Sequence, residues 1–225
     1  MSNKKITVLV NGKIDNSSYI DFLQKNFKIN ILYSNKLKGG EKIDLILLTG
    51  GEDVCPDYYN QGTGSHTKYN KDRDSYETKY LIKSYPEIPK LGICRGAGLL
   101  TALSGGSLIQ HVEGHSNGQL HEIQINTMYD SNVFAITSTH HQMMYPFSMD
   151  SSKYQIIGHS KYHLSDKYLN DHDENIDLPV NFVEPEIVYY PETKSLCIQG
   201  HPEMNDCPEK TKQLIFNLMN YYLKL

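Results

Sequence analysis

The chain has 225 residues, of which 39% are hydrophobic and 21% charged, and its 22 Lys and Arg against 26 Asp and Glu give a formal charge of -4. That length can bury a core without staples, and the composition excludes a disordered chain. The mildly acidic balance excludes a general nucleic-acid-coating surface, and four scattered cysteines exclude a disulfide scaffold.

The start, Met1 to Val10, has two lysines but only a short apolar run, and nowhere does an apolar run approach a membrane span. A cytoplasmic protein is expected, with neither membrane nor nucleic acid among its partners. In chain order, residues 6–10 read as a buried strand ended by Asn11-Gly12. Residues 17–27 suit a short helix with Ile20, Leu23 and Phe27 on one side, and 29–33 a second strand. Residues 42–48 form a near-continuous apolar strand running into Thr49-Gly50-Gly51. A helix is expected over 72–85, stopping before Pro86 and Pro89. Residues 91–94 and the segment up to Ser104 read as a strand, an abrupt turn and a helix. Short β pieces follow at 107–110, 120–125, 133–137 and 154–158, then a polar loop over 160–178. Residues 187–190 and 196–199 suit a hairpin, and 208–223 a closing helix.

Apolar strands alternating with helices favour an α/β sheet, whose ligands gather at the carboxyl ends of strands. Three such ends are marked by glycine or histidine: 49–53, 92–96 and 199–203. Gly92-Ile93-Cys94-Arg95-Gly96 places a thiol in a cramped strand-to-helix turn, where helix amides lower a thiol pKa and offer donors to an oxyanion. His201 and Glu203, two apart on an extended segment, share a side, so the carboxylate can orient the imidazole. Thr49-Gly50-Gly51-Glu52-Asp53 lets backbone amides approach a ligand, and no phosphate-loop or dinucleotide pattern accompanies it.

With those segments the sequence resembles the class I glutamine amidotransferase-like superfamily, and within it the gamma-glutamyl hydrolase and gamma-glutamyl-gamma-aminobutyrate hydrolase branch, peptidase family C26. The match runs through 47–59, Arg73-Asp74 with Glu77, 89–96, Gly105 to Gln110, Ser138 to Gln142, and Gln199 to Glu203. The resemblance implies an α/β three-layer sandwich with a central, mostly parallel, flavodoxin-like sheet, and one domain over 1–225. It implies Cys94 as nucleophile, His201 as base and then acid, Glu203 as the orienting carboxylate, and the amides of Gly51 and Arg95 as the oxyanion hole. The Arg95 side chain is expected to hold the turn. Glu52, Asp53, His140, His141 and Gln142 are expected in the substrate pocket. Two departures stand out: Gly98 replaces a common glutamine, and Gly200 replaces a common aromatic residue, which implies open space beside the imidazole.

The function expected is cysteine-dependent hydrolysis of a gamma-glutamyl amide or isopeptide through a thioester, with no cofactor. Its partners are then a small gamma-glutamyl substrate or peptide, a separate synthetase or ligase, and a second copy in a homodimer. One alternative is a glutaminase chain feeding ammonia to a synthetase; another is a catalytically silent binding protein of the same fold. His111, His115 and His121 cluster in sequence, but without cysteine partners or an H-E-x-x-H pattern they imply no catalytic metal. Cys55 and Cys197 are expected to pack, and Cys207 to be structural or at the surface.

Overall fold

The computed structural model describes residues 5–126 and 131–225; Met1 to Lys4 of the lysine-bearing start lie outside them. The strands are β1 (Lys5–Val10), β2 (Lys28–Tyr33), β3 (Leu45–Leu48), β4 (Lys90–Ile93), β5 (Ser107–Ile109), β6 (His111–Val112) and β7 (Leu120–Asn126). They continue with β8 (Ser131–Thr137), β9 (Met143–Tyr145), β10 (Gln155–Ser160), β11 (Tyr168–Leu169), β12 (Pro185–Tyr190) and β13 (Ser195–Ile198). The helices are α1 (Ser17–Gln24), α2 (Lys71–Glu77), α3 (Arg95–Leu103) and α4 (Glu209–Tyr222).

Nine strands form one sheet in the order β2-β1-β3-β4-β13-β12-β10-β7-β8. The first five run parallel, and from β13 onward each neighbour is antiparallel. The parallel half follows from strands that alternate with helices and are apolar on both faces. Ile6, Val8, Leu45, Leu47, Leu196 and Ile198 point to one face, where they meet Phe22, Ile215 and Phe216 from α1 and α4. Leu9, Ile46, Leu48 and Cys197 point to the other and meet Ala97 and Leu100 of α3. This period of two creates the three layers, in agreement with the expected α/β sandwich.

Some boundaries differ from expectation. The first helix ends at Gln24, because Phe27 turns back into the core beside Phe216. The helix expected over 72–85 is α2 followed by a π turn, Thr78–Ile82, which carries Leu81 into the core. Cys207 is buried, as are the other three cysteines, and all four are free thiols. Among the described residues no helix is long and apolar enough to cross a membrane.

The topology positions the site. Strands β3, β4 and β13 are parallel neighbours, with Leu48 opposite Gly92 and Ile198 opposite Ile93. Their carboxyl ends therefore emerge side by side, bringing together segments that are about 50 to 150 residues apart in the chain.

Candidate functional site

Cys94 occupies the turn between β4 and α3 with φ 52° and ψ -111°, a strained conformation for a residue with a side chain. Its amide donates to Ile198 O at 2.8 Å, which pins the turn to β13. The glycines beside it answer close approaches: a Cβ on Gly96 would stand 2.3 Å from Leu48 O, and one on Gly92 2.6 Å from Gly96 O.

A buried charge network fixes the surrounding loops. The Arg95 guanidinium pairs with Asp74 and Glu77, and all three side chains are out of solvent. Arg73 joins Glu77 at 3.2 Å and Glu52 at 2.8 Å, and donates to Thr49 O and Gly50 O. Asp74 accepts from the Cys55 amide, and Glu77 from Asn11. The Arg95 side chain thus holds the turn, and Arg73 holds the glycine loop. Burial raises the Asp74 carboxyl above its ordinary range, although Arg95 opposes this.

The predicted pocket residues converge on one cleft of about 260 Å³, which Gly51, Glu52, Asp53, Cys94 and Arg95 line from one side. Lys68, Thr139, His140, His141 and Gln142 complete it. Several of these side chains already have partners. Gln142 accepts from the Val54 amide at 2.9 Å and donates to the Tyr59 hydroxyl at 3.1 Å. Asp53 faces His141 at 3.2 Å and accepts from the Lys68 amide. That contact raises the His141 pKa against the opposing effect of burial.

His201 and Glu203 line a separate groove with Tyr19 and Phe22. His201 Nδ1 donates to Glu203 Oε1 at 2.7 Å. Burial works against a charge on the ring, but the neighbouring Cys94 and Glu203 outweigh it and push its pKa up to about 10. Its Nε2 is buried and has no partner in hydrogen-bond geometry, although the Cys94 thiol is near enough to favour the charged ring. Tyr19, which the sequence reading missed, accepts the Gly50 amide at 3.1 Å. Burial, then the charges of Glu203 and Cys94, push its hydroxyl well above the usual range. Gly200 does not open space beside the ring, because Ile136 fills it: a Cβ there would lie 2.8 Å from Ile136 Cγ1.

Among the described residues, the His, Cys, Asp and Glu side chains whose donor atoms converge in a group of three are His115, His140 and Glu186. No cysteine belongs to this group, and this corrects the expected cysteine hydrolase with a Cys94-His201-Glu203 catalytic triad. At the strand ends, the hydrogen bond through which the imidazole would take the thiol proton is not made.

Glu184 and Glu186 were also missed. They stand two apart at the entry to β12, which puts both carboxylates on one face, and that spacing was the signal available.

A glutamine amidotransferase-like protein of Rickettsia prowazekii is 30% identical over 125 residues, 54% of this chain and 44% of that protein. The chain spans 32% to 52% of the length of the curated relatives it matches. A crystal structure from Thermoplasma acidophilum, assigned as part of a GMP synthase, superposes with a TM-score of 0.62 at 16% identity, covering 99% of this chain and 96% of that one. PurLQS from Thermotoga maritima does so with a TM-score of 0.62 at 15% identity, covering 98% and 99%. At such identities these structures speak for the class I amidotransferase-like fold. The Peptidase C26 profile matches residues 37–161, more than half of the sequence, and the chain belongs to the Peptidase C26 family.

Proposed function

We propose that this chain is a non-catalytic binding member of its family, acting as one domain over 1–225. It holds a small gamma-glutamyl compound at the strand ends and works with a separate synthetase or ligase. The observation that carries this reading is His201: a buried imidazole whose charged form Cys94 and Glu203 favour and whose Nε2 has no hydrogen-bond partner, beside the cleft that Cys94 and Arg95 line. A buried donor without a partner costs about 1–3 kcal/mol, and a carbonyl or carboxylate of a ligand would satisfy it. The amides of Gly51 and Arg95 are the further donors in this proposal, and Cys94 forms part of the wall. The synthetase partner is supported by the structural neighbours named for PurLQS and for GMP synthase. Four unpaired thiols suit a reducing cytoplasm.

Calorimetric titration with glutamine, glutamate and gamma-glutamyl amines tests this, alongside assays for released amine, ammonia and glutamate. Saturable binding without release is expected, with Cys94→Ala binding within about threefold of the parent because a wall contact is a small share of affinity. Release that disappears in Cys94→Ala would restore the hydrolase. So would iodoacetamide alkylation of Cys94 that stays fast at pH 5, the mark of a preformed thiolate.

A further inference from the structure

We propose that His115, His140 and Glu186 form a buried site for a zinc-type divalent cation, set into the wall of the cleft. One donor atom from each lies within 4.8 Å of the others, and all three residues are buried. Each carries an atom with no hydrogen-bond partner: His115 Nδ1, His140 Nε2 and Glu186 Oε2. Buried polar atoms are rarely left so, and here three belong to residues from three separate chain segments whose donor groups converge.

The outer partners dictate which atoms are free. His115 Nε2 stands 3.1 Å from Glu184 Oε2, so that nitrogen carries the proton and Nδ1 keeps its lone pair. His140 Nδ1 stands 3.2 Å from Gln142 O, a carbonyl that can only accept, so its Nε2 keeps the lone pair. Glu184 is itself held by the Leu164 and Ser165 amides and the Tyr168 hydroxyl. A histidine that gives one N–H to a fixed carboxylate or carbonyl and turns its other nitrogen to a common point is oriented as metal ligands are.

The distances allow it. His115 Nδ1 lies 3.6 Å and His140 Nε2 4.0 Å from Glu186 Oε1. Ligands of a tetrahedral zinc at its usual bond lengths are about 3.3 Å apart, so the three donor atoms, which lie within 4.8 Å of one another, close the set by drawing together by up to about 1.5 Å. Two imidazoles and a carboxylate suit zinc and its neighbours in the transition series better than calcium or magnesium. The fourth position falls to water, since His121 Nε2, 2.9 Å from Glu186 Oε1, spends its N–H on holding that carboxylate. Because His140 also lines the cleft, the cation fixes one of its walls.

The test uses the full chain. Protein from zinc-replete cells should hold one zinc per chain by elemental analysis. Chelator-stripped protein titrated with Co²⁺ should develop visible bands of a tetrahedral site and gain about 5 °C or more in Tm. Glu186→Gln and His115→Gln should weaken Co²⁺ binding by about 100-fold or more, and Glu184→Gln by about 10–100-fold. Cys94→Ala should bind Co²⁺ as the parent does. The proposal is overturned if the parent takes up neither metal at micromolar concentration, or if Glu186→Gln and His115→Gln bind Co²⁺ as tightly as the parent. Should those variants fail to fold, the titration of the parent decides.

Discussion

The strand-end site and the histidine–glutamate cluster make opposite uses of sequence. At the strand ends, each functional group sits in a short contiguous segment, and parallel pairing of β3, β4 and β13 sets the segments side by side. The cluster draws on His115, His140 and Glu186, which come from the segment before β7, the loop after β8 and strand β12 of the antiparallel half. Both are buried and rich in charge, yet they are held differently. Around the strand ends Glu52, Asp74 and Glu77 are paired by two arginines, with His201 Nε2 and Glu203 Oε2 left without partners beside that network, whereas the cluster leaves three polar atoms without partners and pairs its carboxylates with histidines alone. The first is a closed ion network supporting a cleft; the second is a set of lone pairs awaiting a cation.

The largest expected effect breaks that comparison directly. Arg95→Ala takes the ion-pair partner from Asp74 and leaves Glu77 with Arg73 alone, and breaking a buried pair costs about 3–5 kcal/mol. Glu186→Gln keeps shape and an acceptor for His121, so without metal it should cost about 1–3 kcal/mol. Urea unfolding at neutral pH measures both. Adding zinc should widen the gap between the parent and Glu186→Gln while leaving the Arg95→Ala deficit unchanged. An Arg95→Ala cost under about 1 kcal/mol would show that the turn holds without its ion pairs.

The same contrast explains what could be read beforehand. The α/β sandwich was legible because strands β1, β3, β4 and β13 are short apolar runs ended by turn residues. Gly92 and Gly96 were legible as a cramped turn, and the 2.6 and 2.3 Å approaches explain why no side chain fits. Whether thiol and imidazole share a directed bond was not legible: a motif names the groups, but their alignment depends on how β13 leads into the 199–203 segment. Gly200 misled for a similar reason, since the room left by a missing side chain belongs to whichever neighbour reaches it, here Ile136 of β8. The cluster was hidden because spacing rules search within a segment, and its ligands meet only across strand pairings. His115 and His121 were noticed in sequence, but their carboxylate partners on β12 were not.

A second prediction separates the regions by pH. His201 rises from 6.5 to about 10 in the fold, so the folded chain binds that proton more tightly than the unfolded chain does. Its contribution to stability is therefore fully present below about pH 6.5 and is lost as pH rises through about 10. His201→Gln should be less stable than the parent at pH 6, and the difference should shrink steadily toward pH 10. Urea midpoints of both proteins across that range measure it. A difference that stays flat would mean that the ring is not held as a cation, and the binding reading would lose its donor.

The smallest effect concerns Tyr19, the residue of the strand-end site that no motif announced. Its hydroxyl receives the Gly50 amide, so Tyr19→Phe removes one half-buried hydrogen bond worth about 0.5–1.5 kcal/mol. The glycine loop has a second hold, because the Arg73 guanidinium still reaches Thr49 O at 3.2 Å and Gly50 O at 2.9 Å. Loop geometry, and with it the affinity for a gamma-glutamyl ligand, should therefore fall by no more than about tenfold, the equivalent of one such bond. Calorimetry on Tyr19→Phe beside Gly51→Ala makes the comparison sharp. At Gly51, φ is +147° and a Cβ would stand 2.2 Å from the Arg73 guanidinium, so that variant disturbs the hold Tyr19→Phe leaves intact. If Tyr19→Phe proves the weaker binder of the two, the hydroxyl touches the ligand itself, and the binding surface extends from the cleft into the groove of His201.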